Sequence, residues 1–367
     1  MRVFFDATLL GSGTGIERFS RELLSALNGF DLDLTALVAH PQIQLPETVK
    51  KLPISRFPPD DTYRVLWQQT RQPQLLRRHH ADVYFSPAPE GMFFPSVKQI
   101  ISVLDVIPLR YPTNRQNTFF YRRLLPLLLN RCEAVLTISE NTQSDIRALF
   151  PGYRKDIQVA YPGYTHSCFY PRPAEEQKAV QRKYGLEGRP FILFLGEARP
   201  YKNISGIMAA FAQADLPTCR LVVAGRLGEQ EEPLRQKICE LQIENQTALL
   251  GYVPDDDLAA LYSSCQMFVF ASLYEGFGIP PLEAMACGAP VILSDAASLP
   301  EVGGDAVMYV DPHRTDAICE AIRQVAHDPK LRHHLGQKGL ARASHFSYHT
   351  AAEKLYQLMK KVGGSQS

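Results

Sequence analysis

The sequence predicts an α/β protein built from two doubly wound parallel-sheet domains, and three observations carry that expectation. Apolar runs of strand length alternate with amphipathic helical stretches throughout the chain. Several of those runs are apolar at every position, as strands buried on both faces of a parallel sheet are. The chain has 367 residues, more than one compact core usually organises, so two domains are expected.

The elements follow in order. Val3–Leu10 reads as the first strand, Gly11–Gly15 as a glycine turn and Ile16–Leu27 as the first helix. In the second half, strand-length runs at Phe191–Leu195, Arg220–Ala224, Ala248–Gly251 and Met267–Ala271 alternate with helical stretches at Ile204–Ala214, Glu232–Leu241, Asp256–Ser263 and Pro281–Ala286. Such alternation predicts βαβ units. A break is read at Tyr161–Gly188, where Pro162, Gly163, Pro171, Pro173, Gly185 and Gly188 surround a polar stretch. The expected layout is therefore two Rossmann-like domains, 1–165 and 166–347, facing each other across a cleft, with ligands at the carboxyl ends of the strands. Gly363–Ser367 is expected to be a frayed tail.

Composition narrows the function. With 45% hydrophobic and 21% charged residues and a formal net charge of +1, the chain has an ordinary globular composition. It lacks the basic excess of a dedicated nucleic-acid binder, so no nucleic-acid partner is expected. The N-terminal apolar stretch is too short for a signal peptide. Leu124–Leu129 is short and interrupted by Pro126, so it falls well below the ~20 apolar residues of a membrane span. The seven cysteines (Cys132, Cys168, Cys219, Cys239, Cys265, Cys287 and Cys319) are odd in number and include no CxxC pair. That argues against a disulfide framework or a structural zinc site and for a reducing, cytoplasmic setting. An arginine cluster, Arg110, Arg115, Arg122, Arg123 and Arg131, lies among apolar residues. It reads either as a solvated helix face or as a docking surface for an anionic membrane or a phosphate-bearing acceptor.

The most informative segment is Met267–Pro290, MFVFASLYEGFGIPPLEAMACGAP. It reads as a strand, a glycine-containing loop over Leu273–Gly278, and a helix that opens with Pro280 or Pro281 and stops at Gly288. Backbone amides around Gly276–Gly278 and the helix start would make a site for an anion or a hydroxyl oxygen. Glu275 lies in the loop, and Glu283, eight positions on, is read into the first helical turn. Carboxylates only accept hydrogen bonds, which suits the paired hydroxyls of a ribose or a hexose. On spacing alone, a helix-dipole role for Glu283 and a plain loop charge for Glu275 stand as an equal reading.

Phe191–Asn203, FILFLGEARPYKN, places Arg199 and Lys202 just before the helix at Ile204. Cations beside exposed helix amides suit a phosphate, and surface charges are the alternative. Leu249–Pro254, LLGYVP, ends a strand where backbone groups would meet a heterocycle. Asp255, Asp256 and Asp257 read as first-turn carboxylates and a cap, not as a metal cluster. The three features place ribose, phosphate and base contacts in strand–helix turns of one domain.

The stretch Gly196–Asp311 resembles the donor-binding half of the family 4 retaining glycosyltransferases, which have the GT-B fold. EGFGIPPLE at Glu275–Glu283 matches their E-x7-E signature, and GYVPDDDLAALY, EAMACGAPVI and SLPEVGGDA match as well. TGIERFSRELLSAL, AVLTISENTQSDI and IQVAYPGYTHSCFYP extend the likeness across the first domain. The resemblance implies a nucleoside diphosphate sugar, UDP- or GDP-linked, as donor substrate. Its hexosyl group would pass to a hydroxyl of a saccharide or lipid-linked saccharide, in cell-surface polysaccharide biosynthesis.

By position, the resemblance implies that Glu283 accepts from the ribose diol. Glu275 and the Gly276, Phe277 and Gly278 amides would hold the donor sugar, with Ile279 and Leu282 beside them. Lys202, with Arg199, would stabilise the leaving diphosphate, and Gly196, Gly225 and Arg226 would also belong to the donor site. Gly251, Tyr252 and Val253 would meet the base. In the first domain Gly15 would let the donor's phosphate and the acceptor approach the backbone, and Asp105 and Arg18 would lie on the acceptor side. The last helix, about 348–363, would cross back to the first domain. No metal and no further cofactor are expected.

Two positions depart from the family pattern. Glu197 stands where an arginine is usual, and Leu104 stands where the histidine of a His-Asp pair is usual. These departures keep open a catalytically impaired partner subunit that binds a sugar nucleotide. The glycine turn GSGTG keeps open an NAD-dependent oxidoreductase, but its third fingerprint position is Ile16, and Asp31 precedes the second apolar run rather than following it.

Overall fold

The computed structural model describes residues 1–54 and 61–364. The chain divides into two units: Met1–Gly163 together with the segment from Ser347 onward, and Tyr164–Phe346.

The first unit is built on β1 (Arg2–Asp6), β2 (Asp33–Val38), β3 (Lys50–Pro53), β4 (Val83–Ser86), β5 (Lys98–Ser102), β6 (Ala134–Thr137) and β7 (Asp156–Val159). They form one parallel sheet in the order β3-β2-β1-β4-β5-β6-β7. The first strand ends at Asp6, short of the expected Leu10. Asp6 turns its carboxylate back onto the chain, accepting from the Thr8 amide at 3.0 Å and the Thr8 hydroxyl at 2.6 Å, and so opens the turn.

The helix Gly15–Leu27 forms because Phe19, Leu23, Leu24 and Leu27 fall on one face and are buried there. Its start is fixed by Thr14, whose hydroxyl accepts from the Glu17 amide, while the Glu17 carboxylate accepts from the Gly13 amide at 2.6 Å. Leu23 is fully buried, and its truncation to alanine would cost about 2–5 kcal/mol. Trp67, which the sequence marks out by being the one tryptophan, packs into a core with Phe4, Leu37, Leu76 and Tyr84.

The helical stretch between β5 and β6 contains a π-turn over Phe120–Leu124, where the Leu125 N–H reaches the Phe120 carbonyl. Pro126 explains it. Proline cannot donate to the carbonyl four residues back, and its ring crowds that carbonyl, so the preceding turn widens.

The helix Tyr348–Gly364 belongs to this first unit. It buries Ala351, Ala352, Leu355, Leu358, Met359 and Val362 at helical spacing and packs against the helix Gly15–Leu27. Lys98 Nζ donates to the Val362 carbonyl at 3.0 Å. The expected fraying from Gly363 does not occur at Gly363 and Gly364, which remain helical; Ser365–Ser367 lie outside the described residues. A Cβ at Gly163 would lie 2.4 Å from the Tyr348 amide nitrogen, so within the first unit Gly163 packs directly against the backbone at the start of this helix.

The second unit carries β8 (Phe191–Leu195), β9 (Arg220–Ala224), β10 (Thr247–Gly251), β11 (Met267–Phe270), β12 (Val291–Ser294) and β13 (Met308–Val310). Its parallel sheet has the order β10-β9-β8-β11-β12-β13. The chain steps outward from β8 through β9 to β10, then returns to pair β11 on the other side of β8. The carboxyl ends of β8 and β11 therefore flank the point where the strand order reverses, the place where doubly wound sheets hold ligands. The loops that leave these two strands carry Lys202 and Glu275.

Candidate functional site

The loop after β8 runs from Gly196 to Asn203. The Gly196 amide donates to the Ala224 carbonyl at 3.0 Å, which keeps the loop start against β9. Pro200–Lys202 forms one 3-10 turn, and Asn203 takes a left-handed conformation with φ of 57° before the helix Ile204–Ala214 begins. The Asn203 side-chain amide donates to the carbonyls of Ala271 at 3.1 Å and Pro312 at 2.8 Å. The Tyr201 carbonyl accepts from the Leu273 amide at 2.7 Å. The loops after β8 and β11 are thus joined by main-chain and side-chain hydrogen bonds.

Lys202 and Glu275 meet where these loops adjoin. The lysine ammonium donates to both carboxylate oxygens, at 2.8 and 2.9 Å. Their side chains are only 15% and 9% exposed. The ammonium also lies 5.2 Å from the Phe270 ring centre and 5.4 Å from that of Tyr201, so aromatic faces line its other sides. A poorly hydrated cation held by a carboxylate is preorganised for an anion that arrives later.

After Glu275 the chain turns at Gly278, with φ of 121°. A Cβ there would come within 2.7 Å of the Leu299 side chain, so the turn requires glycine twice over, by conformation and by space. The helix Ile279–Ala286 follows, with Pro280 and Pro281 in its first turn. Glu283 is its fifth residue and stands in the second turn, not the first. Its position therefore is not explained by the first-turn dipole preference, although it is 2% exposed. Phe277 and Leu282 are buried as well, and Phe277 packs edge-on against Phe346 at 5.7 Å.

Three glycines stand together at the carboxyl ends of β8, β9 and β10. A Cβ at Gly225, whose φ is 120°, would lie 2.3 Å from the Gly196 carbonyl oxygen. The Gly225 amide donates to the Gly251 carbonyl at 2.7 Å. Beside them the Arg226 guanidinium lies 5.6 Å from the ring centre of Tyr252, which is 65% exposed. Val253 is buried, so its side chain belongs to the core and only its backbone is available to a ligand.

The side chains of Arg199, Asp256 and Asp257 have partners of their own. Arg199 directs its guanidinium to Glu197, Nε to Oε2 at 3.1 Å, and both side chains are more than half exposed. The residue that stands in the family's usual arginine position thus neutralises the cation expected to replace it. Asp255–Asp257 do fill the first turn of the helix Asp255–Ser264, but its N-cap is Pro254, and none of the three caps it. Asp256 and Asp257 bind Arg172 and Lys183 instead.

In the first unit, Gly15 is the first residue of its helix, with open space where a Cβ would be. Arg18 stands one turn further on and is half-buried. Asp105 follows β5 and accepts from the Ile107 amide at 2.9 Å. The neighbouring Leu104 carbonyl accepts from the Thr142 hydroxyl at 3.3 Å. The sequence reading did not single out Asn203 or Ser298. A small polar residue directly before a helix was the available signal at both.

Among the described residues no group of three or more His, Cys, Asp or Glu is arranged to hold a metal ion, and no helix is long and apolar enough to cross a membrane. Burial pushes the thiols of Cys132, Cys265 and Cys287 far above their ordinary range, and that of Cys219 up to about 11, so none of these is a thiolate nucleophile at neutral pH.

Two family models match the chain: Glycosyltransferase Family 4 over residues 13–167 and Glycosyl transferases group 1 over residues 176–342. O-antigen chain mannosyltransferase B of Escherichia coli is 33% identical over 297 residues, spanning 78% of this chain and 76% of that protein. O-antigen chain mannosyltransferase RfbU of Salmonella typhimurium is 30% identical over 231 residues, spanning 63% and 62%. Among solved structures, sucrose-phosphate synthase of Thermosynechococcus elongatus superposes with a TM-score of 0.80 at 17% identity, covering 100% of both chains. Anabaena HepE in complex with UDP-glucose superposes with a TM-score of 0.77 at 17% identity, covering 98% of this chain and 100% of that one.

Proposed function

Because this chain belongs to glycosyltransferase family 4 and has the GT-B fold, we propose that it is a retaining, metal-independent hexosyltransferase using a nucleoside diphosphate sugar to extend a saccharide or lipid-linked saccharide in polysaccharide biosynthesis. The observation that carries this reading is the Lys202–Glu275 pair at the point of strand-order reversal. It supplies one buried cation and one buried acceptor group side by side, matching a donor that is a diphosphate at one end and a polyol at the other. Mannosyl is the first sugar to test, because two relatives are named mannosyltransferases.

Transfer breaks the bond between the anomeric carbon and the distal phosphate oxygen. It forms a bond from that carbon to the acceptor oxygen, and the acceptor proton passes to the departing phosphate. Negative charge accumulates on the nucleoside diphosphate as it leaves. Lys202 answers that charge with a preorganised ammonium, and the Gly276–Gly278 amides and the start of the helix Ile279–Ala286 add fixed dipoles. Glu275 accepts from sugar hydroxyls while holding Lys202 in place. Glu283 serves the ribose, and Tyr252 with Arg226 offers a stacking surface to the base. Neither glutamate acts as a covalent nucleophile.

The test is thermal stabilisation against UDP, GDP, UDP-glucose and GDP-mannose, followed by donor consumption with and without a saccharide acceptor in excess chelator. A true donor at about 100 times its Kd adds about 2.7 kcal/mol of stability. No stabilisation by any of the four defeats the proposal. A donor that binds without being consumed marks a binding subunit instead, and a requirement for metal removes the metal-independent part.

The acceptor reading extends to the membrane surface. Arg122 and Arg123 are exposed around the π-turn, and among the described residues neither forms an ion pair. Phe119 and Leu127 are exposed on the same helical stretch. A cavity of about 460 Å3 lined by Leu109, Arg122, Pro126, Leu129, Phe150 and Tyr153 adjoins them. Arginine beside exposed apolar side chains suits an anionic bilayer interface. Co-sedimentation with phosphatidylglycerol vesicles but not with phosphatidylcholine vesicles is expected, weakened by salt and by Leu127→Glu; equal binding to both vesicles refutes it.

A further inference from the structure

Ser298 is fully buried and stands at the N-cap of the helix Leu299–Gly303. A serine there ordinarily accepts from the amides of its own helix, but this one makes no such bond. Its hydroxyl turns to the loop after β11, 3.0 Å from the Glu275 carbonyl oxygen and 2.9 Å from that of Phe277. One hydroxyl hydrogen is thus shared between two acceptors.

The consequence lies in peptide geometry. In a planar trans peptide the carbonyl and the N–H point in opposite directions. Drawing the Glu275 and Phe277 carbonyls toward Ser298 therefore turns the N–H groups of Gly276 and Gly278 toward the other side of the loop. The two oriented peptides alternate with the Gly276–Phe277 peptide between them, so a single hydroxyl sets the run of backbone that follows Glu275. Ser294 adds a second tether, its hydroxyl donating to the Ser272 carbonyl at 2.6 Å.

We propose that Ser298 is a positioning residue for the donor: by binding two loop carbonyls it fixes the course of Glu275–Gly278, so that this loop meets the distal phosphate and the sugar of a nucleoside diphosphate sugar in one conformation, and steadies Glu275 beside Lys202. This rests on the donor reading above. It assigns to Ser298 a role transmitted through the loop, without contact to the substrate.

The test compares the native chain with Ser298→Ala and with Ser298→Thr, which restores a hydroxyl. The probes are whichever of UDP and GDP the native chain binds, and the matching nucleoside monophosphate, which lacks the distal phosphate. Ser298→Ala is expected to lose about tenfold in diphosphate affinity and less than about twofold in monophosphate affinity, and the threonine variant to recover the difference. Equal losses for both nucleotides, or no loss, overturn the proposal. Amide hydrogen exchange without ligand gives an independent reading. Faster exchange confined to 275–278 in Ser298→Ala supports the tether, and unchanged exchange there overturns it. Failure of the native chain to bind either diphosphate defeats the donor reading itself, while the exchange measurement still decides whether Ser298 orders the loop.

Discussion

Lys202 and Glu275, 73 positions apart in the chain, share two hydrogen bonds, from the ammonium to each carboxylate oxygen. The sheet order brings them together, since β8 and β11 are neighbours although β9 and β10 intervene in sequence. The pairing gives each residue two duties. Glu275 holds the cation and on the proposed reading also accepts from the donor, and Lys202 neutralises the acid and on that reading also meets the diphosphate.

The first prediction separates the two cations of the loop after β8. Lys202→Ala removes the buried charge and is expected to lower kcat about 100-fold or more, the scale of losing one preorganised charge-stabilising contact. Arg199→Ala is expected to change it less than about threefold, because that guanidinium is exposed and already engaged by Glu197. Steady-state kinetics of donor consumption checks both, and comparable losses would return Arg199 to the site.

A second prediction concerns stability. Removing one member of the pair leaves the other charge poorly hydrated and unpaired, so Lys202→Met and Glu275→Leu should each destabilise the second unit by about 2 kcal/mol or more. The double variant should lose less than the sum of the two. Urea unfolding of the four proteins gives the coupling, and strictly additive losses would show that the pair is not coupled.

The glycines at the strand ends give a third. Gly225→Ala places a methyl group 2.3 Å from the Gly196 carbonyl oxygen at a φ of 120° and should cost about 3 kcal/mol or more. Gly251→Ala has open space at a φ of 66° and should cost only about 1–2 kcal/mol, the left-handed penalty alone. Chemical denaturation ranks them.

The fourth prediction is a pH dependence. Burial alone would raise the Asp257 carboxyl, but hydrogen bonds from Lys183 at 2.5 Å and Tyr184 at 2.8 Å outweigh it and hold the group below its ordinary range. A depressed carboxyl contributes stability that is present above its unfolded pKa, about 4, and is lost as pH falls through the folded value. Asp257→Asn should therefore flatten the decline of stability between about pH 5 and pH 2. An unchanged slope in acid unfolding experiments would rule this contribution out.

The second unit was more legible in the sequence than the first, for a physical reason. Phe191–Leu195 and Arg220–Ala224 are short runs closed by glycine, and their strands form with those bounds. The end of the first strand was missed because Ala7–Leu10 is apolar enough to continue it, while the Asp6 carboxylate, a side-chain effect, turns the chain. Glu283 fell one turn deeper than read, because the helix starts at Ile279, directly after the Gly278 turn. The Lys202–Glu275 pair could be nominated as two residues but not as a contact, since contact depends on strand order. The Ser298 hydroxyl was hidden by its own cap position, where local preference assigns it to the wrong partner.

The helix Tyr348–Gly364 closes the unit that the N-terminus begins. During synthesis, the portion translated first must therefore wait on the ribosome for the portion translated last, while Tyr164–Phe346 has all its own strands beforehand. A premature stop near residue 346 would thus spare the half nearest the break and leave the distant, earlier-made half with a bare apolar flank over its opening helix.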